Sequence, residues 1–185
     1  RVSIENQLNF YEELMETGEG YSGGVRTLLS EDIESMGILG TVADLLTVDE
    51  RYEKAIQTAL GPLAEALVTR DRKSALSAIK ALKDQQAGSA TFLPLEPLLK
   101  AKPKSSVILK GKHVIGAAID FVTPKSGFSD LAQLLLRDVT LVEDEFVADW
   151  NKISGRAVSV DGTLYDTFGL LKGGSGGEGE DTIIG

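Results

Sequence analysis

Residues 161–177, DGTLYDTFGLLKGGSGG, decide how this chain is read. Asp161-Gly162 signals a turn, and Leu164, Tyr165, Phe168, Leu170 and Leu171 after it are β-compatible, so a strand is expected. Gly169, Gly173 and Gly174 then stand where a strand would carry side chains. Glycine inside a strand is costly unless another backbone must come close or the strand must bend. A strand stripped in this way is built to be covered, and the expected cover is a second copy of the chain.

Composition narrows the classes. The 185 residues suit one domain or two small lobes sharing a core. A hydrophobic fraction of 42% and a charged fraction of 25% are those of a soluble globular protein, and no run approaches the length of a membrane span. The chain opens on Arg1 rather than Met, as expected of a segment excised from something longer. With no cysteine there are no disulfides, thiol nucleophiles or cysteine-based metal sites, which fits a cytosolic protein. The net charge of −9 argues against a nucleic-acid binder, but it is unevenly spread. Between Arg70 and Lys112 ten basic residues face three acids, a local charge of +7 that leaves −16 for the remainder. Local sign matters more than net charge for phosphate contact, although a solvated face with a lysine-rich loop explains the same pattern.

Apolar residues Ile4, Leu8, Tyr11, Leu14 and Met15 recur at steps of three and four, the stripe of a helix able to form a coiled-coil seam. After the glycine run 173–179, Asp181-Thr182-Ile183-Ile184 reads as the start of another helix. Between these ends the chain repeats itself. The first copy reads strand 38–48, helix 51–60, strand 64–69, helix 72–84, strand 90–95. The second reads strand 113–123, helix 129–137, strand 139–143, helix 145–153, strand 156–165. Gly40, Asp44 and Thr47 match Gly116, Asp120 and Thr123 at one offset, and Ala66-Leu67-Val68 matches Thr140-Leu141-Val142. Ala75, Ile79 and Leu82 share the i, i+4, i+7 spacing of Phe146, Trp150 and Ile153, which places each set on one buried helix face. Two halves this small need each other for a core.

Several motifs match chemistry only literally. Gly20-Tyr21-Ser22-Gly23-Gly24 has the G-x-S-x-G form of a hydrolase elbow, but a helical pattern precedes it and His113, the one histidine, starts a predicted strand. Residues 174–179, GSGGEG, have the G-x-G-x-x-G form, yet Glu178, Glu180 and Asp181 would repel a pyrophosphate, and a flexible joint explains them better. Asp44 and Asp120 tempt as paired carboxylates; being duplicated, they read instead as strand ends or partners of backbone amides. No phosphate-binding P-loop and no metal spacing are present in the sequence.

Taken together, GYSGGVRTLL at 20–29, GILGTVADLLTVDERYEKAIQTALG at 37–61, ATFLPLE at 90–96 and DGTLYDTFGLLKGGS at 161–175 resemble the hinge domain of the structural maintenance of chromosomes (SMC) proteins. The resemblance covers nearly the whole chain in order. It implies an α+β fold of two pseudo-repeated α/β lobes with mixed sheets, flanked by coiled-coil helix stubs. The parts expected are an N-terminal stub at 1–19, lobe 1 at 20–99, a connector at 100–112, lobe 2 with the glycine strand at 113–177, and the start of a C-terminal coiled coil at 178–185.

It further implies a hinge that dimerises two long coiled-coil arms into a V or ring. ATP, Mg and kleisin-type partners belong to head domains absent here, so neither cofactor nor catalytic nor metal residue is expected in this chain. Carried onto this sequence, the family's interface glycines fall on Gly169, Gly173 and Gly174, where many relatives have one more glycine in place of Phe168. Gly169–Gly174, with Phe168 and Leu170, is expected to meet Ala90, Thr91, Phe92 and Leu93 of a second copy. DNA contact is expected to be weak and to use Arg70, Arg72, Lys73, Lys100, Lys102, Lys104, Lys110 and Lys112, since acids follow the glycines here. The short connector favours a prokaryotic homodimer, cytoplasmic and chromosome-associated, with no membrane contact. Two rival readings remain: a primarily single-stranded-DNA-binding module, and a hydrolase dependent on Ser22 and His113.

Overall fold

The computed structural model describes residues 21–100, 108–146, 148, 155–167 and 169–174. The stubs at 1–19 and 178–185, Lys102, Lys104 and Phe168 lie outside the described residues, as do Trp150 and Ile153.

The fold is α+β. Helix α1 (Gly23–Leu29) precedes β1 (Ile38–Thr41), a helical turn α2 (Val42–Leu45) and β2 (Leu46–Val48). Helix α3 (Glu53–Leu60) follows, then β3 (Leu67–Thr69), α4 (Arg72–Gln85), β4 (Phe92–Pro94) and α5 (Leu95–Lys100). The second series runs β5 (Val114–Ala117), a 3-10 turn (Ala118–Phe121), β6 (Val122–Pro124), α6 (Ser129–Leu136), β7 (Val139–Val142) and β8 (Arg156–Ser159). It ends with β9 (Leu164–Tyr165) and β10 (Leu171–Lys172). One sheet has the order β1-β3-β4, another β10-β9-β8-β7-β5, and β2 pairs with β6.

The duplication is built into the backbone. β3 pairs antiparallel with β1 and parallel with β4; β7 pairs antiparallel with β5 and parallel with β8. In both copies the register slips at the same point, between Ile38 and Gly40 and between Val114 and Gly116. The central strands are buried along their whole length, Leu67–Thr69 in one sheet and Val139–Val142 in the other. Strands covered on both faces read as continuous apolar runs rather than alternating ones, which is why both stand out in the sequence.

The expected long strands are broken. Residues 38–48 form β1, a helical turn and β2, because the Thr41 hydroxyl accepts a hydrogen bond from the Asp44 amide and caps the turn. Residues 113–123 break in the same way around Ala118–Phe121. The expected helix at 145–153 does not begin where the spacing puts it: Glu145 sits in a turn and Phe146 is irregular.

The chain divides into two compact units. One holds the described residues of Arg1–Thr47, Leu60–Lys104 and Val122–Leu135, the other those of Val48–Ala59, Ser105–Phe121 and Leu136–Gly185. Segment 48–59 thus groups with the second series of elements and segment 122–135 with the first.

In the first unit Val25, Leu28, Ile38, Leu67, Ala78 and Leu82 form one core cluster. Helix α4 supplies Ala75, Ala78 and Leu82 from one face, with Ile79 half-buried beside them. Asp71 caps it by accepting from the Ser74 amide at 2.7 Å, and this bond holds the Asp71 carboxyl below its ordinary range.

In the second unit Arg156 clamps β7, β8 and α3. Its Nε and Nη2 each donate to Asp138 at 2.9 Å, and its Nη1 donates to the Ala59 carbonyl in the last turn of α3 at 2.7 Å. Burial pushes the Asp138 carboxyl up, but the hydrogen bonds and charge of Arg156 outweigh it and leave the group below its ordinary value. A guanidinium fork that also ends a helix binds carboxylate and carbonyl more strongly than neutral donors would.

Candidate functional site

The glycine segment is a hairpin rather than one strand. β9 and β10 run antiparallel, with Leu171 opposite Tyr165 and Lys172 opposite Leu164. The link between them closes through Gly169 N donating to Asp166 O at 3.1 Å and Asp166 N donating to Leu170 O at 2.9 Å. Gly169 has a φ of +80°, a left-handed conformation that glycine adopts without strain. The glycine expected to thin a strand thus turns the chain.

The hairpin is anchored on its inner side. Tyr165 Oη donates to the Phe146 carbonyl at 3.3 Å, and the two rings meet edge-on with centroids 5.6 Å apart. At the preceding turn, the Ser159 hydroxyl and both the amide and hydroxyl of Thr163 donate to Asp161. These bonds, led by that from Ser159, hold the Asp161 carboxyl below its usual value.

The outer side is different. β10 ends the five-stranded sheet, so one side of its backbone has no neighbouring strand among the described residues. Leu170 is 56% and Leu171 60% exposed. Among the described residues only one other large apolar side chain, Leu76, is comparably exposed, so two of the three are neighbours on this edge. A Cβ added at Gly169 or Gly174 would meet nothing within 4 Å, and one at Gly173 would meet Thr163, with the hydroxyl at 3.2 Å and the Cα at 3.7 Å. An edge that no described strand covers, with apolar side chains along it, is a template for another strand.

The strand expected to receive β10 is also a sheet edge among the described residues. β4 ends the sheet of the first unit, bonded to β3 through pairs such as Leu67 and Phe92. Ala90 and Phe92 turn inward and pack on that unit's core, while Leu93 is half-buried and Thr91 exposed. What β4 offers outward is backbone more than side chain.

Arg70, Arg72 and Lys73 are exposed at the start of α4, Lys110 and Lys112 are exposed before β5, and Lys100 pairs with Glu96 at 3.2 Å. The hydrolase residues have local partners. Ser22 opens α1, and its hydroxyl donates to the Ser89 carbonyl at 3.4 Å; His113 Nδ1 lies 2.9 Å from Glu143 Oε2. Asp44 and Asp120 are exposed, each in the helical turn after its glycine.

Residues 34–150 match the family model of the SMC proteins' flexible hinge domain. The chain belongs to the SMC hinge family. An SMC hinge of Pyrococcus furiosus, solved by crystallography, superposes with a TM-score of 0.67 at 31% identity, covering 100% of this chain and 97% of that one. A Geobacillus stearothermophilus SMC hinge, crystallised as an asymmetric dimer, superposes with a TM-score of 0.75 at 26% identity, covering 94% of this chain and 74% of that one. Among full proteins, the chromosome partition protein Smc of Halothermothrix orenii is 31% identical over 92% of this chain, and that of Bacillus subtilis is 31% identical over 94%. This SMC hinge spans only 15% and 16% of the length of those two bacterial relatives. Among the described residues, no helix is long and apolar enough to cross a membrane.

Proposed function

We propose that this chain is the dimerising hinge of a chromosome-organising SMC protein, joining two copies of a longer polypeptide into a V or ring. The observation that carries the reading is the open β10 edge, with Leu170 and Leu171 exposed beside glycines that leave the backbone bare. In the homodimer, residues 169–174 of one copy lie along Ala90, Thr91, Phe92 and Leu93 of the other, and twofold symmetry repeats the contact. Phe168 and Leu170 fill the rim. The parent's ATP and Mg, and its kleisin-type partners, belong to head segments outside this chain. The complex works on the chromosome in the cytoplasm.

Sedimentation equilibrium of the 185-residue chain tests this directly. A dimer is expected at low micromolar concentration, since a twofold interface of ordinary size, about 800 Å² per partner, supports that affinity. A monomer at tens of micromolar would remove the reading.

A second function is supported by the local charge of +7 between Arg70 and Lys112, with Arg70, Arg72, Lys73, Lys110 and Lys112 exposed. These residues, with Lys100, Lys102 and Lys104, are proposed to hold the backbone of single-stranded DNA weakly. Anisotropy titrations with a short labelled oligonucleotide should show affinity falling steeply with salt. Reversing Lys110 and Lys112 to glutamate should weaken binding and flatten that salt dependence by about one unit of slope per lost phosphate contact. Equal slopes for both proteins would assign the charge to a merely solvated face.

A further inference from the structure

His113, Glu143 and Glu145 each bring one ligand atom within 4.8 Å of the other two. Sequence spacing conceals the group, because 30 residues separate His113 from Glu143. Strand pairing closes that gap. Val114 of β5 lies opposite Val142 of β7, so the residue before one strand faces the residue after the other. Glu143 N donates to the His113 carbonyl at 2.8 Å, which fixes the two side chains at a common base. His113 Nδ1 then lies 2.9 Å from Glu143 Oε2, and the turn after β7 returns Glu145 to the same point. Asp144, between the two glutamates, accepts instead from the Asp161 amide at 2.9 Å.

Among the described residues, His113 is the basic side chain that meets Glu143. Two carboxylates converge on one imidazole, and like charges this close repel. A cation relieves that repulsion.

We propose that His113, Glu143 and Glu145 bind a divalent transition-metal ion, zinc by ligand chemistry, at the β5 edge of the five-stranded sheet. One imidazole nitrogen with two carboxylate oxygens suits a borderline ion, whereas calcium and magnesium favour oxygen throughout. Metal–ligand bonds of about 2.0–2.2 Å place neighbouring ligands of a tetrahedral site roughly 3.3–3.6 Å apart. The three atoms need only small side-chain rotations to reach that spacing, and both glutamates are exposed enough to make them. Water completes the coordination. The ion pins the start of β5 to the end of β7, at the opposite end of the sheet order from β10, so the site stands independently of the dimerisation reading.

Isothermal titration of untagged, chelator-stripped protein with zinc chloride tests the site, beside His113→Asn and Glu145→Gln. His113 has a φ of +63°, and asparagine tolerates that left-handed backbone better than most residues, so the first variant removes the imidazole without forcing the turn. The second keeps the His113–Glu143 contact intact. One zinc per protomer is expected, at least about tenfold weaker in each variant, with affinity falling on acidification as protons compete for the imidazole. Zinc should raise the thermal midpoint of the unaltered protein, and magnesium at the same concentration should not. Absence of saturable one-to-one binding, or an affinity that either variant leaves unchanged, overturns the proposal.

Discussion

Replacing Gly173 by leucine is expected to convert a dimer into a monomer at micromolar concentration. The position isolates the effect of bulk. Gly173 does not have the left-handed backbone of Gly169 or Gly174, so a side chain there brings no conformational strain. Within one copy the added Cβ meets Thr163, whose hydroxyl at 3.2 Å must give by a few tenths of an ångström. A second strand drawn up to β10 has no such freedom. Side chains on a strand project from the faces of the sheet, so a leucine at 173 fills space that the glycines are proposed to leave for the partner's backbone; an incoming strand tilted by it forfeits several main-chain hydrogen bonds. At about 1 kcal/mol for each net bond, with lost apolar contact at Leu170 and Leu171, the loss reaches roughly 3 kcal/mol, or about a hundredfold in dissociation constant. Gly173→Ala should fall between the two. Sedimentation of all three proteins, with far-UV circular dichroism as a check of fold, gives the answer. Dimers of undiminished affinity in the leucine variant would confine the glycine to the hairpin and place the interface elsewhere.

That expectation survives a partial misreading of the same stretch. The sequence signals a single strand from Leu164 to Leu171, because the β-compatible side chains run on across Asp166 and Thr167. The structure puts a turn there, closed by the left-handed Gly169 and by main-chain bonds between Asp166 and both Gly169 and Leu170. Alternation over so few residues does not distinguish one strand from two short ones. The outcome for function is nonetheless similar, since the second strand of the hairpin becomes the edge.

The repeat was legible for a physical reason. Buried central strands impose strong patterns, and those patterns recur at matching positions. What stayed hidden depends on contacts distant in sequence. The helical turn Val42–Leu45 is too short to show a period and is held by one hydroxyl of Thr41. The grouping of 48–59 with the second series and of 122–135 with the first leaves no local trace. His113 looked like the opening residue of a strand; only the register between β5 and β7 brings it to Glu143.

The GYSGG motif shows how a literal match is resolved, and it yields the other large effect. Gly24→Ala is expected to destabilise the protein by about 2–3 kcal/mol, although its backbone is ordinary helix. Gly24 is buried, and an added Cβ would collide with the backbone carbonyl of Ser89. The neighbouring chain has no room either, because a Cβ on Gly88 would lie 3.2 Å from the Gly24 nitrogen. Helix α1 and the segment leading to β4 therefore touch backbone to backbone, glycine against glycine. A methyl group at Gly24 forces them apart and pulls Val25 and Leu28 from the core they share with Leu67 and Leu82. Gly23 provides the matched control. It is exposed, and its Cβ would come no nearer than 3.7 Å to the Ala87 carbonyl, so Gly23→Ala should be neutral or stabilising by up to about 1 kcal/mol. Urea unfolding of both variants, at one protomer concentration so that dimerisation does not shift the comparison, decides the matter. Equal midpoints for the two would mean that the helix slides without cost, and that this glycine is not what sets its distance from the strand proposed to receive β10.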